Sequence, residues 1–301
     1  MENTPKPLVS VIIPCYNSTE LRRTLESVCK QSYSCWEALC VDDGSDMELF
    51  PVINAINDPR IFYYRLEEHN NANVARNYGI NHSRGEYIAM LDSDDEWLET
   101  HVEDSVSMLL EEKADCIYGS LILRGETDSI FTARPVGEDE TVIDYLLSTG
   151  YGAQTSTLVM TALSAKDILW DETLKRHQDY DFVIRYSRKY KIFPRIKPTV
   201  IYHFSDTPPI IDFDSCIRFI HTVEDEITDR IYMNYHKHML KLAIASNAQV
   251  NIITHYRKAA THCEYLLSFY DYLMILQPQN RFKAWLLKMR YIRGVFKVKI
   301  E

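Results

Sequence analysis

The stretch LVSVIIPCYN, residues 8–17, carries the pattern from which the fold is predicted. Leu8–Pro14 is uncharged and rich in β-branched residues, which is typical of a buried strand. Three more apolar runs follow along the chain, at Trp36–Val41, Ile61–Arg65 and Tyr87–Leu91. Helical patterns lie between them, around residues 47–56 and 72–82. This alternation predicts an α/β fold, with one mainly parallel Rossmann-like sheet flanked by helices.

Polar clusters follow three of these strands directly. They are Pro14-Cys15-Tyr16-Asn17, Asp42-Asp43-Gly44-Ser45 and Asp92-Ser93-Asp94-Asp95. Ligands of parallel α/β sheets bind just beyond the carboxyl ends of the strands. One cluster alone would be explained as an acidic turn, but three on one sheet edge predict a shared site.

The aspartates of the third cluster are candidate ligands for a hard divalent cation, Mg²⁺ or Mn²⁺, which prefers oxygen. A calcium loop beginning at Asp92 would need glycine at its sixth position, where Trp97 stands, so we reject it. A solvated acidic turn stays open as the alternative.

Two further acidic segments have a structural and a functional interpretation. The pair in VDDGS, residues 41–45, could cap a strand-to-helix turn, or could accept hydrogen bonds from a nucleobase or sugar. In HQDYD, residues 177–181, Asp179 could be a helix cap or a surface charge. If it faced a bound sugar in a cleft, Asp179 could instead remove a proton from an attacking hydroxyl.

Composition narrows the class of protein. A net charge of −10 disfavours nucleic-acid binding, and 46% hydrophobic with 25% charged residues is typical of a soluble globular protein. The seven cysteines are an odd number without a CxxC pair, which predicts reduced thiols in the cytosol. The sequence shows neither a signal-peptide pattern nor an apolar run long enough to span a bilayer.

Two regions are predicted, a nucleotide-binding domain over residues 1–210 and a helical extension over 211–301. The segment 280–301 holds seven Lys or Arg residues and one acid, and its apolar side chains lie near one helical face. This pattern predicts either an interfacial helix on anionic lipid, or a helix that packs on the domain or on a partner.

Taken together, five segments resemble the family 2 glycosyltransferases, which have the A-type glycosyltransferase fold. They occur in the family's order and cover about residues 7–205. The segments are VSVIIPCYN (9–17), SVCKQSYSCWEALCVDDGSD (27–46), VARNYGI (74–80), SRGEYIAMLDSDDEW (83–97) and ILWDETLKRHQDYDFVIRY (168–186).

The resemblance implies an inverting, metal-dependent transferase. It would move a sugar from a nucleotide-sugar donor to a saccharide or lipid-linked acceptor in polysaccharide biosynthesis. Uridine is the expected base, and Mn²⁺ or Mg²⁺ the expected cofactor. The enzyme would act in the cytoplasm, or as a peripheral protein on the inner face of the cell membrane.

The family's motifs assign roles to positions of this chain. Tyr16 would stack on the base, and Asp43 would accept its imino N–H. Asp92 would lie near the ribose or sugar, and Asp94 would touch the metal, while Asp179 would be the general base. The resemblance adds five residues, four in donor binding and one beside the diphosphate and metal. They are Pro14 in the base pocket with Asn17 after it, Arg76 and Asn77 of the ARN motif, and His203.

The chain departs from the family pattern at two points. Gln178 stands where the glutamate before the general base is usual, and HNNANVARN lacks the glycine that often precedes ARN. Two rival functions follow: a catalytically degenerate, nucleotide-binding assembly subunit, and a sugar nucleotidyltransferase. The nucleotidyltransferase would need an N-terminal glycine-rich basic loop, which LVSVIIPCYNS does not provide.

Overall fold

The structure, a computed structural model, describes residues 6–150, 152–204 and 211–261. The strands are β1 (Val9–Cys15), β2 (Trp36–Asp42), β3 (Ile61–Arg65), β4 (Tyr87–Met90), β5 (Glu96–Trp97), β6 (Cys116–Arg124), β7 (Ser129–Phe131), β8 (Val159–Thr161) and β9 (Ile192–His203). The helices are α1 (Leu21–Cys29), α2 (Phe50–Ile56), α3 (Ala72–His82), α4 (His101–Glu111), α5 (Val142–Thr149), α6 (Ala162–Ile168), α7 (Gln178–Ser187), α8 (Phe213–His221), α9 (Asp229–Ala245) and α10 (Val250–Thr261).

The first four strands form the parallel part of the sheet, in the order β3-β2-β1-β4. Every residue of β1 and β2 is buried, as their apolar sequences predict. The register pairs Cys15 with Asp42, and Ile12 with Met90. The carboxyl ends of β1, β2 and β4 therefore lie at one edge, and the predicted α/β sheet flanked by helices is confirmed.

The other strands continue the same sheet in the order β8-β6-β9-β5, with β7 beside β6. Here β6 and β9 are parallel, whereas β8, β7 and β5 pair antiparallel with their neighbours. β8 lies next to β4, so residues near its start reach the edge where the polar clusters lie. The sheet is therefore mixed outside its first four strands.

Helix α3 packs closely on the parallel strands because it carries a glycine where it crosses them. A Cβ added at Gly79 would lie 2.6 Å from Cγ2 of Ile12, closer than two carbon atoms approach. Ala75 and Ile80 are buried on the same helix. This close packing fixes α3 against β1 and β2, and the start of α3 lies near their carboxyl ends.

The sequence pattern of α1 predicts its buried face but not its start. Leu21, Leu25 and Val28 are buried as expected. From the sequence, Ser18 or Thr19 could cap this helix, but the residue before it is Glu20, whose side chain makes no capping bond. The Ser18 hydroxyl instead donates to the carbonyl of Ser93, 3.0 Å away, so it ties β1's loop to the aspartate cluster.

The chain divides into two compact units between Phe219 and Ile220. The predicted boundary at residue 210 falls at the edge of 205–210, outside the described residues, and stays a prediction. Helices α9 and α10 belong to the second unit and agree with the predicted helical extension. The segment 280–301 also lies outside the described residues. Among the helices of the described ranges, none is long and apolar enough to cross a membrane.

Candidate active site

The neighbouring aspartates at the end of β2 have different partners. Oδ1 of Asp42 accepts the N–H of Ser45 at 2.8 Å, and its Oδ2 accepts the hydroxyl of Tyr63 at 2.6 Å. Asp43 accepts the N–H of Asn70 at 3.1 Å and faces the loop after β3. Asp42 therefore holds the turn together, whereas Asp43 is bound by the loop after β3, and its role in base binding stays a prediction.

Burial and hydrogen bonding oppose each other at Asp43. Its side chain is buried, which raises the pKa of this carboxyl group, while the N–H of Asn70 and the ring of His69 favour the charged form. Nδ1 of His69 lies 2.9 Å from Oδ2 of Asp43. The same imidazole stacks on Tyr16, with ring centroids 3.7 Å apart and planes inclined by 20°. Tyr16, Asp43 and His69 thus form one cluster.

Pro14 and Asn17 shape the β1 end of this cluster. Pro14 is buried within the strand. Asn17 has a φ of 46°, in the left-handed region that asparagine tolerates better than most residues. Its Oδ1 accepts the N–H of Asp46 at 2.9 Å, so the side chain joins the loops after β1 and β2. The role of both residues in donor binding stays a prediction.

Arg76 connects the aspartate cluster to α3. Its guanidinium donates to Oδ1 of Asp92 at 2.7 Å and to Oδ1 of Asn73 at 2.8 Å. It also lies over the ring of Trp170, 4.6 Å from the ring centroid. The side chain is buried. Arg76 therefore has a fixed position, and its charge is poorly screened by water.

Three asparagines of the α3 region hold the loop that leads to α7. The side-chain amide of Asn71 donates to the carbonyl of Glu172, and that of Asn73 to the carbonyls of Asp171 and Leu174. Asn77 both donates to the carbonyl of Trp170 and accepts its N–H, at 2.9 and 2.8 Å. We call Asn71, Asn73 and Asn77 the asparagine bracket.

The asparagine bracket explains the position of Asp179 in the first turn of α7. Asp179 is half-buried, and the surrounding protein raises its pKa to about 6, with the N–H of Tyr180 and the charge of Arg76 acting in the opposite direction. A carboxyl group with this pKa is ionised at neutral pH but takes up a proton readily. Asp179 is therefore suited to general-base chemistry, in the field of the guanidinium that binds Asp92.

The remaining residues of the aspartate cluster differ in exposure. Asp95 is fully buried, and its Oδ2 accepts hydrogen bonds from Ser156 at 2.6 Å and Gln154 at 2.9 Å. Burial, then the charges of Asp92 and Asp94, raise its pKa well above the usual value. Asp94 is exposed to solvent at one side, although crowding by protein and the charge of Asp92 still raise its pKa.

His203 lies close to this cluster at the end of β9. Its backbone N–H donates to Oδ1 of Asp95 at 3.3 Å, and its ring Nε2 lies 2.7 Å from Oε1 of Glu96. Glu96 is also approached by Arg23 of α1, at 3.4 Å. The structure therefore places His203 beside the predicted metal ligands, with one ring nitrogen already engaged by a carboxylate.

The carboxylates of Asp92 and Asp94 fit a hard divalent cation. Their oxygens are the ligand type that Mg²⁺ and Mn²⁺ prefer, and the Asp94 carboxylate forms no ion pair with any residue of the described chain. No group of three or more His, Cys, Asp or Glu in the described ranges has the arrangement of a metal site. Such an incomplete set suits Mg²⁺, which is usually held by one or two carboxylates together with substrate phosphates.

The sequence analysis missed several residues that build this site. His69 comes from the loop after β3, where no motif pointed to a ligand. Gln154 and Ser156 precede β8, and their place beside Asp95 depends on antiparallel pairing that the sequence did not indicate. The pattern AQTST at 153–157, polar residues before an apolar strand, is the signal that could have found these two.

Comparison with known proteins agrees with this geometry. Residues 10–151 match the glycosyl transferase family 2. The amylovoran biosynthesis glycosyltransferase AmsB of Erwinia amylovora is 34% identical over 207 residues, which are 64% of this chain and 69% of AmsB. The Escherichia coli WfgD, a UDP-Glc:α-D-GlcNAc-diphosphoundecaprenol β-1,3-glucosyltransferase, is 39% identical over 115 residues, 38% of this chain and 45% of WfgD.

Among solved structures, residues 1–349 of Staphylococcus aureus TarS in complex with UDP-GlcNAc resemble this fold. The TM-score is 0.66 at 16% identity, over 95% of this chain and 92% of that one. The chain belongs to glycosyltransferase family 2. It spans 69% of the length of AmsB and less than half of WfgD.

Proposed function

We propose that this protein is an inverting glycosyltransferase that moves a sugar from a nucleotide-sugar donor, expected to be UDP-linked, to an acceptor hydroxyl. The observation that carries the proposal is the position of Arg76. It binds Asp92 at 2.7 Å and lies close enough to Asp179 to lower that residue's pKa. Asp92, which is proposed to lie near the donor, and Asp179, the proposed base, are thus both close to one buried guanidinium, which supports their acting on two substrates held together.

On the donor side, the base would stack on Tyr16 and donate its imino N–H to Asp43. Asp92 would lie near the ribose or sugar, with Arg76 and Asn77 beside it and Pro14 and Asn17 shaping the pocket. Asp92 and Asp94, with His203 nearby, are the residues that would hold Mg²⁺ or Mn²⁺, whose charge counters that of the departing diphosphate when it is bound.

In the reaction, Asp179 takes the proton of the acceptor hydroxyl as the oxygen forms a bond to the anomeric carbon. The bond from that carbon to the diphosphate oxygen breaks on the opposite face, so the configuration inverts. The carboxylate must be ionised for this step, and its pKa of about 6 leaves it mostly ionised at pH 7. The fixed loop before α7 holds Asp179 in position for the incoming hydroxyl.

The acceptor is proposed to be a saccharide or a lipid-linked saccharide. AmsB is a biosynthetic enzyme of amylovoran, and WfgD by its name uses a diphosphoundecaprenol-linked sugar. A lipid-linked acceptor at the inner face of the cell membrane would suit a peripheral location of the enzyme. The basic segment 280–301 could contribute to such peripheral binding.

The proposal is tested first by measuring thermal stability with a set of nucleotide sugars, with and without Mn²⁺, because a ligand of the native state raises the melting temperature. With the donor so found, release of the nucleoside diphosphate is measured for Asp179→Asn. Turnover should fall by roughly 10²- to 10⁴-fold, since the base is lost. The affinity for the nucleotide should stay unchanged.

Asp181→Asn is the matched control, because Asp181 lies two residues further along the same helix and is ion-paired with Arg185. Its turnover should stay near that of the native protein. Full turnover in Asp179→Asn would contradict the assignment of the base. A native protein that binds a nucleotide but transfers no sugar from any donor would favour the assembly-subunit alternative.

A further inference from the structure

The imidazole of His69 occupies the place where the proposed function puts the nucleobase. It stacks on Tyr16 at a centroid distance of 3.7 Å, and its Nδ1 lies 2.9 Å from Oδ2 of Asp43. A flat ring on Tyr16 that points a ring N–H at Asp43 is also the description of a bound uracil, thymine or guanine. His69 therefore satisfies both groups in the way a base would.

Asp43 cannot accept a second ring N–H while His69 stays in this position. The Asp43 side chain is only 3% exposed, and the N–H of Asn70 already approaches both of its oxygens, at 3.1 and 3.2 Å. The imidazole lies against Oδ2 of Asp43 and covers the side of the carboxylate near Tyr16. A base that is to reach the carboxylate has to replace the imidazole.

The backbone around His69 is held, so its side chain is the part that can move. The N–H of Leu66 donates to the carbonyl of Asp42, and that of Asn70 to the Asp43 carboxylate. A Cβ added at Gly44 would lie 2.8 Å from the backbone of Glu68 and His69, so the loop rests directly on this glycine. The His69 side chain is 48% exposed and has solvent into which it can rotate.

We propose that His69 is a built-in competitor of the nucleobase and thereby sets the affinity for the donor. The proposal rests on the proposed function only in placing the base between Tyr16 and Asp43. When the donor binds, the imidazole rotates away from Tyr16 and its hydrogen bond to Asp43 is exchanged for one from the base. Each binding event therefore includes the cost of breaking the stack and that bond, which a variant without the ring avoids.

The test is titration calorimetry with UDP, GDP and TDP on the full chain. His69→Ala should bind its preferred nucleoside diphosphate roughly 3- to 10-fold more tightly than the native protein, since one stacking contact and one exposed hydrogen bond no longer compete. His69→Asn should also bind the nucleotide more tightly, because the asparagine side chain is too short to stack on Tyr16. If His69 instead contacted the bound base, both substitutions would weaken nucleotide binding.

His82→Ala is the matched control, because His82 stacks on Tyr78 in α3 with centroids 3.9 Å apart and planes inclined by 17°. Its nucleotide affinity should equal that of the native protein. In a second readout, the ring protons of His69 in NMR spectra should lose the shift caused by the Tyr16 ring when the nucleotide saturates the site.

The outcomes separate the two proposals. Equal or weaker binding in both His69→Ala and His69→Asn, with native binding intact, would overturn the role of His69 and leave the proposed function standing. Binding that does not weaken in Tyr16→Ala would show that the base lies elsewhere. If neither the native protein nor the His69 variants bound any of the three nucleotides, the proposed function would fail, and the role of His69 with it.

Discussion

Carboxylates that are adjacent in sequence have separate tasks in this protein. Asp42 and Asp95 are buried and are bound by Tyr63, Ser156 and Gln154, so they hold loops in place. Of their neighbours, Asp43 is also buried but contacts Asn70 and His69 of the loop after β3, and Asp94 is exposed to solvent. Successive residues near a strand end point to opposite sides, and therefore one member of an acidic pair can serve structure while the next serves binding.

The pKa of Asp179 leads to a prediction about pH. The surrounding protein raises this pKa to about 6, and a general base works only when it is deprotonated. The turnover number at saturating donor should therefore be constant above about pH 7 and fall about tenfold per pH unit below pH 6. Steady-state assays between pH 4.5 and 8.5 measure this, with circular dichroism showing that the fold is retained.

The fall in activity at acid pH should be seen in the turnover number at saturating donor, and not only in the KM for the donor. Because burial also raises the pKa of Asp43, protonation of that carboxyl group should raise the KM for the donor at acid pH. Turnover at saturating donor separates the two groups. A turnover number that stays flat down to pH 5 would argue against Asp179 as the base.

At the scale of secondary-structure elements, α3 has the largest influence on the site. It packs on β1 through Gly79, carries Arg76 toward Asp92, and holds the loop before α7 through the asparagine bracket. One helix thus connects Asp92 with the loop that precedes Asp179. Of the ARN motif, Arg76 binds Asp92, and Asn77, besides its proposed place near the donor, supports the loop through Trp170.

The bonds of Asn77 predict a loss of stability when it is replaced. Asn77→Ala would leave both the N–H and the carbonyl of Trp170 without their partner inside the protein. The free energy of unfolding should fall by about 2 kcal/mol, because buried polar groups without partners are costly. Urea denaturation measures this change.

Asn81→Ala is the comparison for this variant, since Asn81 is an exposed residue of the same helix. It should change stability by less than about 0.5 kcal/mol. If Asn77→Ala kept native stability but bound the donor more weakly, Asn77 would be a ligand of the donor and not a support of the loop.

The elements also show how far the sequence could predict the fold. The sequence predicts the strands β1 to β4 and the helix α3 nearly to the residue, because their apolar runs and helical period are clear. The strands β5, β7 and β8 have only two or three residues each, too few for a period to be recognised. Their antiparallel pairing, and with it the position of Gln154 and Ser156, could not be inferred.

Residues of the candidate site were predictable where a motif marks a strand end, as for Tyr16, Asp43 and Asp92. His69 was not predictable, because its position depends on the path of the loop after β3 and on the close approach at Gly44. The pairing of His203 with Glu96 likewise requires β5 and β9 to be neighbours. A strand of two residues is too short to be predicted from the sequence.

At the scale of the whole molecule, the uneven charge leads to a prediction about membranes. Residues 280–301 carry a charge of +6 within a chain of −10. Deleting them should release the protein from liposomes that contain anionic lipid, because the basic side chains supply the attraction. Sedimentation with anionic and with neutral liposomes measures the effect, and the native protein should bind only the former, more weakly at high salt.

This test also decides between the two interpretations of the segment 280–301. If the deletion variant sedimented with anionic liposomes as the native protein does, the segment would not be a membrane anchor. A helix packed on the domain, or on a partner, would then be the better interpretation.

The hydrogen bonds that complete the site also bear on how the chain folds. Asn73 and Leu174 are 101 residues apart, and Asp95 and His203 are 108 residues apart. Contacts of such separation form only after long loops have closed, whereas helices and neighbouring strands form early. During refolding from urea, transferase activity should therefore return in a slower phase than the far-ultraviolet dichroism of the backbone. A chain still emerging from the ribosome would have the segments of its proposed nucleotide pocket before it has Asp179, the proposed base.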